Sequence, residues 1–152
     1  MFSLDTSGFL DAWTRHYPLD TFPTFWEHMN VAARDGTIHV SEEVVRELEK
    51  KDDGAAGWIK ARPGMIITTD VAVQKKVTEI LKTHPRLVNA SKNRSGGDPF
   101  VIAVAAVHGL SVVSGELPSG SMRKPHIPDV CAATGISCWN LLEFVRFQGW
   151  KL

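Results

Sequence analysis

Apolar residues fall into two alternating patterns along the whole chain. Short apolar runs predict strands at residues 2–4, 38–40, 110–113 and 136–139, with a shorter extended piece at 65–67. Between them, helical apolar spacing and capping residues predict helices at 9–15, 23–34, 42–51, 54–62, 71–83, 100–108, 127–134 and 141–147. Strands that alternate with helices in this way are typical of an α/β domain.

Local signals place several helix ends. Ser41 and Asn140 are good N-caps, Asp20 or Thr21 is expected to cap the second helix, and Pro23 suits its first turn. The run at 110–113 has no charge, which indicates burial on both faces as in a parallel sheet. We therefore predict a three-layer α/β/α fold with a central, mainly parallel, four- to five-stranded sheet. Residues 89–97 are polar and are expected to be flexible.

Length, composition and charge limit the kinds of function that we expect for this chain. The length of 152 residues fits one domain, residues 1–152. Lys plus Arg number 17 and Asp plus Glu number 17, so no global basic field attracts nucleic acid. A polyanion would have to be held by a local patch or by metal ions. We see no membrane span and no signal peptide, and two cysteines, Cys131 and Cys138, suit a reducing cytoplasm, the expected location.

Several kinds of site are disfavoured by spacing. The six histidines lack zinc-ligand spacing, and the chain has neither a phosphate-binding Gly-x-x-x-x-Gly-Lys loop nor a serine nucleophile elbow. Trp26 and Trp58 fall on apolar helical faces, so we expect core packing rather than base stacking.

Four carboxylates are expected to approach one rim of the sheet. They follow strand ends or lie near helix starts, where the sites of open parallel sheets form: Asp5, Glu47, Asp98 and Glu116. Carboxylate oxygens are suitable ligands for Mg²⁺ or Mn²⁺, and clustered acids need a cation to offset their repulsion. The pattern thus predicts a divalent-metal site.

Each of these acids also has a structural interpretation. Asp5 and Asp98 could cap the helices that follow them. Glu47 could be a solvated helix charge paired with a lysine of the next turn, and Glu116 could be a plain loop charge. Spacing alone does not separate these interpretations from metal binding.

Four segments in order resemble the motifs of the PIN-domain superfamily, whose members are mostly metal-dependent ribonucleases. They are Leu-Asp-Thr-Ser at 4–7, Val-Val-Arg-Glu-Leu at 44–48, Gly-Asp-Pro-Phe-Val-Ile-Ala at 97–103 and Val-Val-Ser-Gly-Glu at 112–116. In the last motif Ser114 stands where threonine is usual, and Glu116 where aspartate is commoner.

Two further segments indicate a resemblance to one family within this superfamily. Residues 17–26, which read Tyr-Pro-Leu-Asp-Thr-Phe-Pro-Thr-Phe-Trp, and residues 127–131 resemble a bacterial PIN-like, VapC-like toxin family formerly of unknown function. The resemblance spans nearly the whole chain. It implies a Mg²⁺- or Mn²⁺-dependent endoribonuclease, the toxin of a toxin–antitoxin module with a cognate antitoxin and an RNA substrate, and it is compatible with a homodimer.

The resemblance also assigns roles to residues. Asp5, Glu47, Asp98 and Glu116 would be both catalytic and metal-holding, so that cations activate the attack on the scissile phosphate. Auxiliary roles fall to Thr6, Ser7, Ser114 and Asp129, although helix capping is the favoured role of Asp129. Four basic residues flank the site in the sequence and could contact RNA phosphates, although ordinary loop solvation is their favoured role: Lys92, Arg94, Arg123 and Lys124.

Two other functions stay open at this point. One is a catalytically inactive PIN-like binding module, in which the acids are dispersed or paired with basic residues. The other is a metal-dependent nuclease that acts on DNA through the same site.

Overall fold

Five parallel strands form one sheet in the order β3-β2-β1-β4-β5 in a computed structural model that describes residues 1–51, 53–88 and 97–152. The strands are β1 Phe2–Leu4, β2 Ile38–Ser41, β3 Ile66–Ile67, β4 Ser111–Val113 and β5 Cys138–Trp139. Phe2 pairs with Ile38 on one side and with Ser111 on the other, so β1 lies at the centre. The predicted flexible segment, apart from Gly97, lies outside the described residues, as do Lys92 and Arg94.

Eight α-helices connect and cover the strands of this sheet in the described part of the chain. They are α1 Thr6–Leu10, α2 Pro23–Arg34, α3 Glu42–Glu49, α4 Ala55–Lys60, α5 Val71–Thr83, α6 Asp98–His108, α7 Ile127–Thr134 and α8 Leu141–Gln148. A π-helical turn, Asp11–His16, extends α1, and short 3₁₀ turns cover Pro63–Met65 and Pro85–Leu87. None of the described helices is long and apolar enough to cross a membrane.

Burial explains why the alternating pattern predicted this fold. All three residues of β1 are buried, as are Val112 and Val113 of β4. Helix α6 is apolar on most sides and is accordingly buried along most of its length. A sheet with helices packed around its central strands has no polar face, which is why these strands show no alternation.

The starts of the helices test the N-cap residues that were predicted from the sequence. Ser41 and Asn140 cap α3 and α8 through their side chains, as predicted. The prediction that Asp20 or Thr21 caps α2 is wrong: Phe22 occupies the N-cap without a side-chain bond, while Pro23 stands in the first turn as expected. Proline at that position needs no amide partner, so the helix begins without a polar cap.

Aromatic side chains join α1, α2 and α4. Trp26 is 3% exposed and packs edge-on against Phe9 and Trp58, with ring centroids 5.6 and 5.1 Å apart. Trp58 is half-buried and also contacts Phe9. The core interpretation of both tryptophans is confirmed, and this packing holds α4 against α1 and α2.

Candidate active site

Asp5 lies directly after the central strand, with only 3% of its surface exposed. Its carboxylate accepts hydrogen bonds from the Ser7 hydroxyl at 2.8 and 2.9 Å, from the Ser114 hydroxyl at 2.7 Å and from the Gly8 amide. Asp5 is therefore the N-cap of α1, as its structural interpretation supposed. It is also the buried centre of a polar network that joins β1 to the end of β4.

The protonation of Asp5 is set mainly by burial. Desolvation raises the pKa of its carboxyl to about 7, although the hydrogen bonds from Ser114, Gly8 and Ser7 oppose the rise, and the charge of Glu116 adds to it. A nearby cation would favour the ionised form and reverse the shift. A buried carboxylate of this kind is chemically suited to hold a hard divalent ion.

Glu47 lies on α3, and its half-buried side chain points to the same rim. One carboxylate oxygen accepts a hydrogen bond from the Thr6 hydroxyl, and the other accepts one from the Gly97 amide at 3.0 Å. Thr6 follows Asp5, and Gly97 precedes Asp98. Glu47 thus connects the starts of α1 and α6 rather than standing as a solvated surface charge.

Asp98 is the first residue of α6 and is 8% exposed. The N-cap position belongs to Gly97, which has no side chain, so Asp98 is not the cap that its structural interpretation supposed. Because Gly97 donates to Glu47, the backbone at Asp98 is held close to that carboxylate. Its burial beside a second acid is the environment expected of a functional carboxylate.

Glu116 is half-buried and follows β4. Its Oε2 accepts a hydrogen bond from the Ile127 amide at 2.8 Å, and its own amide donates to the Ser114 hydroxyl at 3.0 Å. Ser114 also donates to Asp5, so one hydroxyl joins the two acids. Glu116 is therefore tied to the site and to the start of α7, which a plain loop charge would not be.

Hydrogen bonds link all four predicted acids, or residues adjacent to them in the chain, at one end of the sheet. Within residues 1–51, 53–88 and 97–152, however, no three or more His, Cys, Asp or Glu side chains are already arranged to hold a metal ion. The donor set is nonetheless made of carboxylates and hydroxyls, which suits Mg²⁺ or Mn²⁺ by chemistry. Several of these oxygens are occupied by internal hydrogen bonds, which a cation would have to replace.

A fifth acid at this rim, Asp11, was missed by the sequence argument. Its carboxylate lies where a side chain on Gly115 would be, and that position is also 3.1 Å from the carbonyl oxygen of Ser7. Asp11 is paired with Arg15 at 3.2 Å. The signal available in the sequence was its spacing of four residues from Ser7, which places both on one face of a helix.

Asp129 serves the loop before α7. Its carboxylate accepts hydrogen bonds from the amides of His126 at 2.7 Å, Ser119 at 2.9 Å and Gly120 at 3.1 Å, and from the Ser119 hydroxyl at 2.8 Å. Burial would raise its pKa, but these bonds prevail and lower the pKa to about 2. This is the capping role favoured above. Arg123 and Lys124 are exposed on the same loop.

Solved structures with similar architecture support the fold at low sequence identity. FitAcB from Neisseria gonorrhoeae has a TM-score of 0.56 and 18% identity, and the match covers 93% of this chain and 99% of that one. VapBC2 from Rickettsia felis, bound to a DNA fragment from its promoter, has a TM-score of 0.56 and 15% identity over 91% and 97%. FitAB bound to the IR36 DNA fragment has a TM-score of 0.55 and 18% identity over 93% and 95%.

These neighbours have the PIN-domain fold, so the predicted fold class, a parallel sheet flanked by helices, is confirmed. Comparison with curated protein sequences gave no match. One family model matches residues 2–152, nearly the whole chain, and its description is "Domain of unknown function (DUF4411)". The chain belongs to this family.

Proposed function

We propose that this protein is a metal-dependent endoribonuclease that acts as the toxin of a toxin–antitoxin module. The observation that carries the proposal is the network around Asp5. A buried carboxyl at the end of the central strand is joined through Ser114 to Glu116. Through the adjacent Thr6 it is joined to Glu47. Carboxylates at the carboxyl edge of a parallel sheet occupy the usual place for a ligand site.

Solved structures of similar fold support the proposed role in a toxin–antitoxin module. The similar solved structures are of FitAB and VapBC2, which are toxin–antitoxin assemblies, two of them with DNA. A cognate antitoxin is therefore a natural partner for this chain, and an RNA is the proposed substrate. A homodimer is compatible with the same proposal.

Asp5, Glu47, Asp98 and Glu116 would hold one or two ions of Mg²⁺ or Mn²⁺. When bound, such a cation lowers the pKa of an attacking water and stabilises the charge that develops on the phosphate. The hydroxyls of Ser7 and Ser114 hold the Asp5 carboxylate in place. Thr6 does the same for Glu47, so both acids are held at this rim, and a bound cation would replace some of these hydrogen bonds.

Basic residues outside this network are proposed to contact the RNA backbone. Arg123 and Lys124 are exposed on the loop that follows Glu116. Lys92 and Arg94 precede Asp98 in the chain. Phosphate contacts by such side chains position a nucleic acid without selecting its sequence.

The direct test is RNA cleavage by the purified protein with Mg²⁺ or Mn²⁺ and, separately, with EDTA. We expect cleavage only with metal, and a loss of at least about 100-fold in Asp5→Asn and Asp98→Asn. Glu79→Gln is the matched control, because Glu79 is 67% exposed on α5 and is paired with Lys76. Full cleavage by Asp5→Asn protein would contradict the proposed site.

Two further measurements separate the alternatives. Calorimetric titration with Mn²⁺ should show binding to the wild type and weaker binding to Asp5→Asn. Absence of both Mn²⁺ binding and cleavage would favour an inactive binding module. Cleavage of single-stranded DNA in preference to RNA of the same sequence would favour the DNA nuclease.

A further inference from the structure

A second polar site lies at the opposite end of the sheet from Asp5. A cleft of about 440 Å³ opens between α2 and the end of α4, and its described lining includes Asn30, Arg34 and Arg62 but no acidic residue. Gly36, which also lines the cleft, precedes β2, whereas the acids lie beyond the carboxyl ends of the strands. The four residues of β2 alone separate the two ends by roughly 13 Å.

Arg62 is held in one orientation at this cleft. Its Nε donates to Asn30 Oδ1 at 2.7 Å, its Nη1 donates to the Trp58 carbonyl oxygen at 2.8 Å, and its Cζ lies 3.8 Å from the centroid of the Trp58 ring. A guanidinium has five N–H donors, so these two bonds leave three of them, all on Nη1 and Nη2. The Nη1 and Nη2 edge of a guanidinium, its fork, can donate two parallel hydrogen bonds to a pair of oxygens in one plane.

A second arginine, Arg34, lines the same cleft. Burial lowers the pKa of Arg62, and the charge of Arg34 lowers it further. In the part of the chain that the structure describes, neither arginine forms an ion pair with a carboxylate. The acid next in sequence, Asp35, is engaged by the amide and hydroxyl of Thr37 at 3.0 and 2.6 Å.

Asn30 adds a neutral donor to the same lining. Arg62 Nε can only donate, so the Asn30 atom that faces it must be the amide oxygen. The amide nitrogen of Asn30 therefore keeps its two N–H groups. The cleft is thus lined by two cations and an amide donor, and its described lining contains no acid. An oxyanion would accept hydrogen bonds from these groups and offset their positive charge.

We propose that the cleft lined by Asn30, Arg34 and Arg62 binds a phosphate group. Phosphate suits the open fork of Arg62, and its negative charge would relieve the repulsion between the two guanidiniums. The group could belong to free phosphate or a nucleotide, or to the backbone of a nucleic acid. The site goes beyond the proposed nuclease function, since it uses neither the acids around Asp5 nor a metal ion.

The test is calorimetric titration with inorganic phosphate in EDTA, which removes metal from the other end of the sheet. We expect saturable binding to the wild type and affinity about tenfold weaker in Arg34→Gln, the loss expected when one charge-assisted hydrogen bond is removed. Arg146→Gln is the matched control, because Arg146 lies in the last turn of α8 as Arg34 lies in the last turn of α2.

Two results would overturn the proposal. One is the absence of saturable phosphate binding to the wild type, and the other is equal weakening by Arg146→Gln and Arg34→Gln. Arg62→Lys adds a test of the fork, since it keeps the charge but loses the planar donors, and we expect it to weaken binding about as much as Arg34→Gln. If Arg62→Lys does not fold, Arg34→Gln still decides, because Arg34 is exposed.

A second titration identifies the source of the phosphate. It uses a single-stranded RNA oligonucleotide without terminal phosphates, in EDTA, with Asp5→Asn protein. Weaker RNA binding on adding Arg34→Gln points to a nucleic-acid backbone. Unchanged RNA binding with weaker inorganic phosphate binding points to free phosphate or a nucleotide. Failure of metal-dependent cleavage would leave these measurements unaffected, so the two proposals fail separately.

Discussion

Ser114 donates a hydrogen bond of 2.7 Å to Asp5, from the residue after β4 to the residue after β1. The same hydroxyl accepts the amide of Glu116 at 3.0 Å. One small side chain therefore joins Asp5 to the backbone of Glu116, and these two acids follow neighbouring parallel strands. Because Ser114 is 2% exposed, water does not readily replace it when it is removed.

Ser114→Ala should lower the free energy of unfolding by about 1–3 kcal/mol, the range for a buried polar group that loses its hydrogen-bond partner. Urea unfolding monitored by tryptophan fluorescence measures the change. Ser114→Thr keeps the hydroxyl and serves as the control, with a smaller loss. Equal midpoints for wild type and Ser114→Ala would mean that the hydroxyl does not support Asp5.

Gly8→Ala should destabilise the protein and displace Asp5. A Cβ on Gly8 would lie 2.5 Å from the Val113 carbonyl oxygen and 3.0 Å from Asp5 Oδ1. Overpacking of this kind costs about 1–3 kcal/mol. Gly57→Ala is the control: it lies inside α4 with nothing within 4 Å of its Cβ, so it should be neutral or slightly stabilising. Thermal melting compares the two, and similar melting temperatures would contradict the close approach of α1 to β4.

The stability of the metal-free protein should depend on pH through Asp5. The folded-state pKa of about 7 lies above the ordinary value of 3.8, so the folded protein binds a proton that the unfolded chain releases between these pH values. The resulting stabilisation is full below pH 3.8 and is lost as pH rises to about 7, at no more than about 1.4 kcal/mol per pH unit. Above that pH it should no longer change.

Asp5→Asn cannot ionise and isolates this effect from other titrating groups. Melting temperatures in EDTA should show the wild type losing stability relative to Asp5→Asn between pH 5 and pH 7. The difference should then stay constant to pH 8.5. A constant difference across the whole range would indicate that Asp5 keeps an ordinary pKa.

Glu47→Ala should destabilise the protein by about 1–3 kcal/mol, because it leaves the Gly97 amide and the Thr6 hydroxyl without this partner. Glu49→Ala on the same helix should cost under about 1 kcal/mol, since Glu49 is 44% exposed and its ion pair with Lys60 lies at the surface. Chemical unfolding in EDTA compares the pair. Equal costs would restore the interpretation of Glu47 as a surface charge.

Asp129→Ala should lower stability by about 1 kcal/mol at neutral pH through loss of the cap on α7. Its pKa of about 2 lies below the usual value, so the stabilisation is present above pH 4 and disappears as pH falls through 2. The melting difference between wild type and Asp129→Ala should therefore shrink in acid. RNA cleavage below the unfolding temperature should change little, whereas a 100-fold loss would assign Asp129 to the active site.

Sequence patterns predicted the order of the strands and helices but not the length of the strand at the edge of the sheet. Buried strands between amphipathic helices are visible because burial fixes residue type at each position. The last strand is shorter than residues 136–139, with only Cys138 and Trp139 paired to β4. An edge strand has one partner instead of two, so its ends depend on contacts that a local pattern does not contain.

The candidate active site also depends on contacts that a local sequence pattern does not contain. Asp5 was identified both as a candidate ligand and as a cap, and α1 starts three residues before the predicted position because the Asp5 carboxylate binds the Gly8 amide. The bond from Gly97 to Glu47 spans 50 residues and leaves no local signal. The spacing of Asp11 from Ser7 is a local signal, but the place of Asp11 at the rim also depends on the absence of a side chain at the distant Gly115.

The central strand has a consequence for the order of events during synthesis. β1 is synthesised before β4, and Ser114, which donates to Asp5, follows Asp5 by 109 residues. The buried carboxyl therefore cannot acquire its full set of donors until the segment that carries Ser114 has been translated. A nascent or prematurely terminated chain that stops before Ser114 would carry the first three motifs and still lack the assembled pocket.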